Sequence, residues 1–78
     1  MNRLKLLEYN AKHIIYQYIP EDSGEAGEVV FNINTGEISI AKPAQNDEFG
    51  KYGHKAVKRV EEYIEKKNLP MEAVQAWY

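Results

Sequence analysis

In the first half of the chain apolar residues recur at every second position; in the second half they recur at every third or fourth. The run His13-Ile14-Ile15-Tyr16-Gln17-Tyr18-Ile19 is rich in β-branched and aromatic residues and stops at Pro20, which predicts a strand. Ile14, Tyr16 and Tyr18 fall on one face of it and Ile15 and Ile19 on the other, so both faces are apolar. Glu28-Val29-Val30-Phe31-Asn32-Ile33-Asn34 alternates, with Val29, Phe31 and Ile33 on one side. Asn34-Thr35-Gly36 reads as a tight hairpin, because glycine takes the positive φ that such turns need. Glu37-Ile38-Ser39-Ile40-Ala41-Lys42 is then the return strand, Ile38 and Ile40 pointing inward, and Pro43 ends it. Together these runs predict a three-stranded antiparallel β-meander.

The period changes after Asn46-Asp47-Glu48, an N-cap signal followed by acids suited to the positive end of a helix dipole. At 100° per residue, Phe49, Gly53, Ala56, Val57, Val60, Tyr63 and Ile64 share one face, with Tyr52 at its margin. Gly53 inside that stripe is expected to allow close approach of helix and sheet. Asn68 and Pro70 stop the helix. The ends are open to two readings. Leu4, Leu6, Leu7 and Tyr9 suit an extra edge strand or a short helical turn, and Pro70–Tyr78 suits a short helix or an edge strand. Trp77 and Tyr78 are expected to close the core.

The fold class is therefore α+β: a meander packed on one long helix, with a further short element possible at each end, in a single domain spanning residues 1–78. With 78 residues there is room for one core, and 44% hydrophobic residues are too many for a disordered chain. The chain has no cysteine, which removes thiol catalysis and thiolate metal sites and points to a reducing, cytoplasmic location. No apolar run approaches the ~20 residues of a membrane span, so no membrane partner is expected.

Charge adds one candidate surface. Residues 1–50 hold four Lys/Arg against eight Asp/Glu, a net −4, whereas residues 51–78 hold six against four, a net +2. Lys51, Lys55 and Arg59 stand at i, i+4 and i+8, with Lys58 and His54 beside them. Like charges at this spacing disfavour a helix, and cations in its first half oppose the macrodipole. These five residues are a candidate contact surface for nucleic acid or another polyanion; an ordinary solvated face is the competing reading.

No other chemistry stands out. The acidic loop with Glu21, Asp22, Glu25 and Glu28 lacks the spacing of a calcium-binding loop, so no metal or other cofactor is expected. His13 and His54 would form an acid–base pair only if the fold joined them with a carboxylate such as Asp47 or Glu48. Phosphate-loop, zinc-protease and serine-elbow motifs are absent, and the chain is expected not to be an enzyme. One helix covers one face of a sheet, which leaves Ile15, Ile19 and Val30 on the other. They are the candidate interaction face, to be covered by the terminal segments, a second copy or another protein.

Ile15-Tyr16-Gln17-Tyr18-Ile19-Pro20-Glu21, Gly27-Glu28-Val29-Val30-Phe31, Tyr52-Gly53-His54-Lys55-Ala56 and the terminal Ala76-Trp77-Tyr78 resemble a family of short, functionally uncharacterised bacterial proteins, chiefly of low-GC Gram-positive bacteria and their mobile elements. The resemblance implies a small bacterial cytosolic protein and supplies no catalytic residues.

Overall fold

A computed structural model describes residues 1–21, 25–44 and 50–76. Its elements run β1 (Asn2–Tyr9), β2 (His13–Pro20), β3 (Gly27–Asn32), β4 (Ile38–Lys42), α1 (Lys51–Glu65) and β5 (Glu72–Gln75). The strands form one sheet in the order β4-β3-β2-β1-β5, every neighbouring pair antiparallel. The meander and the helix follow the sequence pattern. Both ambiguous ends are strands, which widens the sheet from three strands to five; neither is helical among the described residues. The predicted cap at Asn46-Asp47-Glu48, together with Phe49, Trp77 and Tyr78, lies outside the described residues.

Local chemistry sets the turns. Asn10 bends β1 into β2, its Oδ1 accepting the backbone N–H of Lys12 at 2.8 Å and of His13 at 3.0 Å. Asn32 does the same between β3 and β4, accepting from Asn34 and Thr35, and Gly36 closes that turn at φ 77°. Ile33 therefore sits exposed in the turn rather than in the core, and Ile40, on the outer strand, is also exposed. The helix ends where Lys67 N–H bonds to Ile64 and Asn68 N–H to Tyr63. This paired carbonyl capture needs a left-handed residue, and Lys67 supplies it at φ 56° where glycine is the usual choice.

The core lies between α1 and one face of the sheet. Leu4, Ile14, Tyr16, Tyr18 and Val29 from the strands meet Ala56 and Val60 from the helix, all essentially buried. Burying a side chain the size of Leu4 or Val60 stabilises the fold by about 1.5–3 kcal/mol. Tyr18 lies across Gly27, its partner on β3, and an added Cβ there would meet the Tyr18 ring. The Tyr18 hydroxyl accepts the Ala44 N–H at 3.1 Å. The Tyr16 hydroxyl donates to the Pro70 carbonyl at 2.7 Å and its ring packs on Tyr63. Burial, helped by neighbouring Tyr63, pushes the Tyr16 phenol up to about 12.

Two buried polar residues that no periodicity marks pin the helix to the edge of the sheet. Asn2 and Gln75 are opposite one another on β1 and β5. Asn2 Nδ2 donates to Gln75 Oε1 and to the Tyr52 carbonyl, and Gln75 Nε2 donates to the Lys55 carbonyl at 2.7 Å. Gly53, buried between those two carbonyls in sequence, presents no side chain to hold the strands away. Nearby, Glu21 Oε1 accepts from the Met1 ammonium at 2.7 Å and the Tyr52 hydroxyl at 3.1 Å, contacts that hold its carboxyl below the usual range.

Candidate functional site

Strand alternation carries one set of side chains toward α1 and leaves the other set on the far side of the sheet. On β2 the far set is His13, Ile15, Gln17 and Ile19, each half-buried between the buried residues Ile14, Tyr16, Tyr18 and Pro20. Val30 of β3 is directly opposite Ile15 and half-buried as well. Among the described residues no element packs on this face. The N-terminal leucines do not cover it, because β1 extends the sheet edgewise. Ile15, Ile19 and Val30 thus form the interior of an open face, with Arg3 and exposed Val74 paired beside Ile19.

A polar row crosses the face between these apolar positions. Glu72, Lys5, Gln17, Glu28 and Lys42 are consecutive Cα partners across β5, β1, β2, β3 and β4. Directly opposed residues share a face, so all five side chains stand on the uncovered side. A bulge at Leu7 on β1 and one at Ala41 on β4 end the regular pairing on either flank.

The basic candidates lie on the other side of the molecule. Lys51, His54 and Lys58 are exposed on the outer face of α1, and Lys55 is half-buried among them. Lys51 Nζ is 5.9 Å from the centroid of the Tyr52 ring. Arg59, one helical turn beyond Lys55, is half-buried, with its Nε 3.7 Å from Glu62 Oε2. The helix has no acid in its first turn and no base in its last, so its charges run against the macrodipole.

The fold does not bring the two histidines together. His13 stands on the uncovered face, where its Nε2 is 3.1 Å from Glu8 Oε2 and Asn10 Nδ2 is 3.1 Å from Glu8 Oε1. His54 is on the outer side of α1, with the sheet between them. Among the described residues, two clefts are bordered by other side chains: one of about 440 Å³ by Tyr9, Ile14, Ile64, Lys67 and Leu69, and one of about 290 Å³ by Arg3, Glu72, Ala73 and Val74. Among the described residues no three His, Asp or Glu side chains are grouped as metal ligands. Among the described residues no helix is long and apolar enough to cross a membrane. The sequence-predicted residues fall on two opposite sides of the molecule; the charged row was not visible in the sequence, because it exists only in the register of five strands.

The chain matches no protein-family model, no curated protein and no solved structure.

Proposed function

We propose that this chain is a small, non-enzymatic protein-interaction module of the bacterial cytoplasm that docks its partner on the uncovered face of the sheet. The observation that carries the reading is the half-buried group Ile15, Ile19 and Val30 in the middle of a face that α1 does not reach. Completing the burial of such side chains contributes about 25 cal/mol for each Å² removed from water. The charged row that crosses the face between them supplies orientation. The bacterial setting rests on the resemblance of the β2, β3 and helix motifs.

A second reading is binding of nucleic acid or another polyanion by Lys51, His54, Lys55, Lys58 and Arg59. Its supporting observation is the charge order of α1: cations gathered at the end where the helix dipole is already positive reinforce attraction for phosphate, at some cost in helix stability.

One experiment separates the two. The protein is used as bait in a bacterial lysate, with and without nuclease, beside a sheet variant (Ile15→Asp with Val30→Asp) and a helix variant with Lys51, Lys55, Lys58 and Arg59 changed to glutamine. The module reading expects a defined protein that survives nuclease and the helix changes and is lost from the sheet variant. Retention by the sheet variant, or loss on nuclease treatment, contradicts it and favours the helix.

A further inference from the structure

We infer that the partner of the uncovered face is a second copy of this chain, packed face to face about a twofold axis that runs along β2. The inference rests on the interaction-module reading and adds the partner's identity. It comes from the order of charges in the polar row. Read across the sheet, Glu72 is negative, Lys5 positive, Gln17 neutral, Glu28 negative and Lys42 positive. Reversing the row about Gln17 inverts every charge. The row is therefore its own electrostatic complement.

That antisymmetry selects the geometry. In a face-to-face pair the twofold axis lies in the plane of contact, and each subunit presents the same patch to the other. With the axis along β2, the row of one copy is laid over the reversed row of its partner. Lys5 then meets Glu28, Glu72 meets Lys42, and Gln17 meets Gln17, whose side-chain amide both donates and accepts. The alternative axis, along the row and across the strands, would stack Lys5 on Lys5 and Glu28 on Glu28. Like charges so placed oppose association. The β2 axis also sets Ile15 near Ile15 and Ile19 near Ile19, and gives nearly aligned strands, a usual arrangement for stacked sheets. Among the described residues no ion pair within 4.0 Å takes up Lys5, Glu28, Lys42 or Glu72.

The size of the face fixes the strength to expect. Five strands at about 4.8 Å spacing are roughly 19 Å across. With a similar length along the strands, the flat area is about half of the ~800 Å² per partner in a standard interface. The dimer is accordingly weak, concentration-dependent and sensitive to its charge pairs.

The test is sedimentation equilibrium on wild-type protein, Lys5→Glu, Glu28→Lys and an equimolar mixture of the two variants, up to about 1 mM. Each variant alone faces two like-charged contacts across the axis. The mixed pair faces none, because the carboxylate introduced at position 5 of one chain meets the ammonium introduced at position 28 of the other. The expected result is a wild-type dimer, a dissociation constant raised about tenfold or more in each variant, and recovery of dimer in the mixture. Thermal melts confirm that the variants fold, since each places like charges side by side on neighbouring strands. Should either fail to fold, Lys42→Glu and Glu72→Lys, at exposed positions on the outer strands, repeat the same test. A wild-type protein that stays monomeric, variants that associate as well as wild type, or a mixture that stays monomeric overturns the inference. If the wild type is monomeric while the bait still loses its protein partner on changing Ile15 and Val30, the second copy is excluded and the module reading stands.

Discussion

The two faces of the sheet are built from alternate residues of the same strands and differ in almost every physical respect. On β2, Ile14, Tyr16 and Tyr18 are buried under α1, and both tyrosine hydroxyls find backbone partners, Pro70 and Ala44. Ile15, Gln17 and Ile19 lie between them in sequence and stay half-exposed. The covered face is closely packed: its two buried tyrosine hydroxyls are satisfied and Gly27 admits the Tyr18 ring. The other has apolar residues in the middle, ionised residues in a row and nothing packed above among the described residues. A side chain's cost of change should therefore depend on which face it occupies more than on what it is.

The largest effect is expected at the tightest point of the covered face. Gly27→Ala drives a methyl into the Tyr18 ring and should destabilise the protein by about 3 kcal/mol in denaturant unfolding, as overpacked cores do. Tyr16→Phe comes next. It leaves the Pro70 carbonyl without its donor and should cost about 1 kcal/mol. It also changes the alkaline limb. The folded phenol titrates near 12 and the unfolded one near 10, so the unfolded chain holds fewer protons between those values. Wild-type stability therefore falls as pH rises through that window, and the variant should lose this fall, measured by melts across the range.

Smaller effects sharpen the contrast. Lys67→Gly relieves the left-handed backbone at the helix end and should stabilise by about 0.5–1 kcal/mol. On the uncovered face, Ile15→Thr should change the stability of dilute, monomeric protein by no more than about 0.5 kcal/mol, while weakening self-association at high concentration. A large loss of monomer stability on Ile15→Thr would break the comparison between the faces.

Legibility in the sequence followed the same physical lines. The meander and α1 were readable because their apolar residues keep a strict period and their turns carry Asn and Gly where backbone geometry needs them. The termini were ambiguous for local reasons. In β1 the bulge at Leu7 sets Leu6 and Leu7 side by side and spoils the alternation, and β5 is four residues long, with only Ala73 and Val74 as apolar signal. Asn2 and Gln75 are buried polar residues at opposite ends of the chain, and their pairing arises from strand order alone. The candidate face was visible in part, since alternation separates Ile15, Ile19 and Val30 from the core stripe. The charged row was not, because it depends on which residues of five strands lie opposite one another.

The most direct test of the uncovered face as an interface is an amide-resolved NMR dilution series on the wild-type protein. The account expects concentration-dependent shifts confined to the far-side positions of the strands, centred on Ile15, Gln17, Ile19, Glu28 and Val30, with the outer residues of α1 unmoved. Shifts centred on Lys51, Lys55 and Lys58, or none anywhere up to about 1 mM, would contradict it.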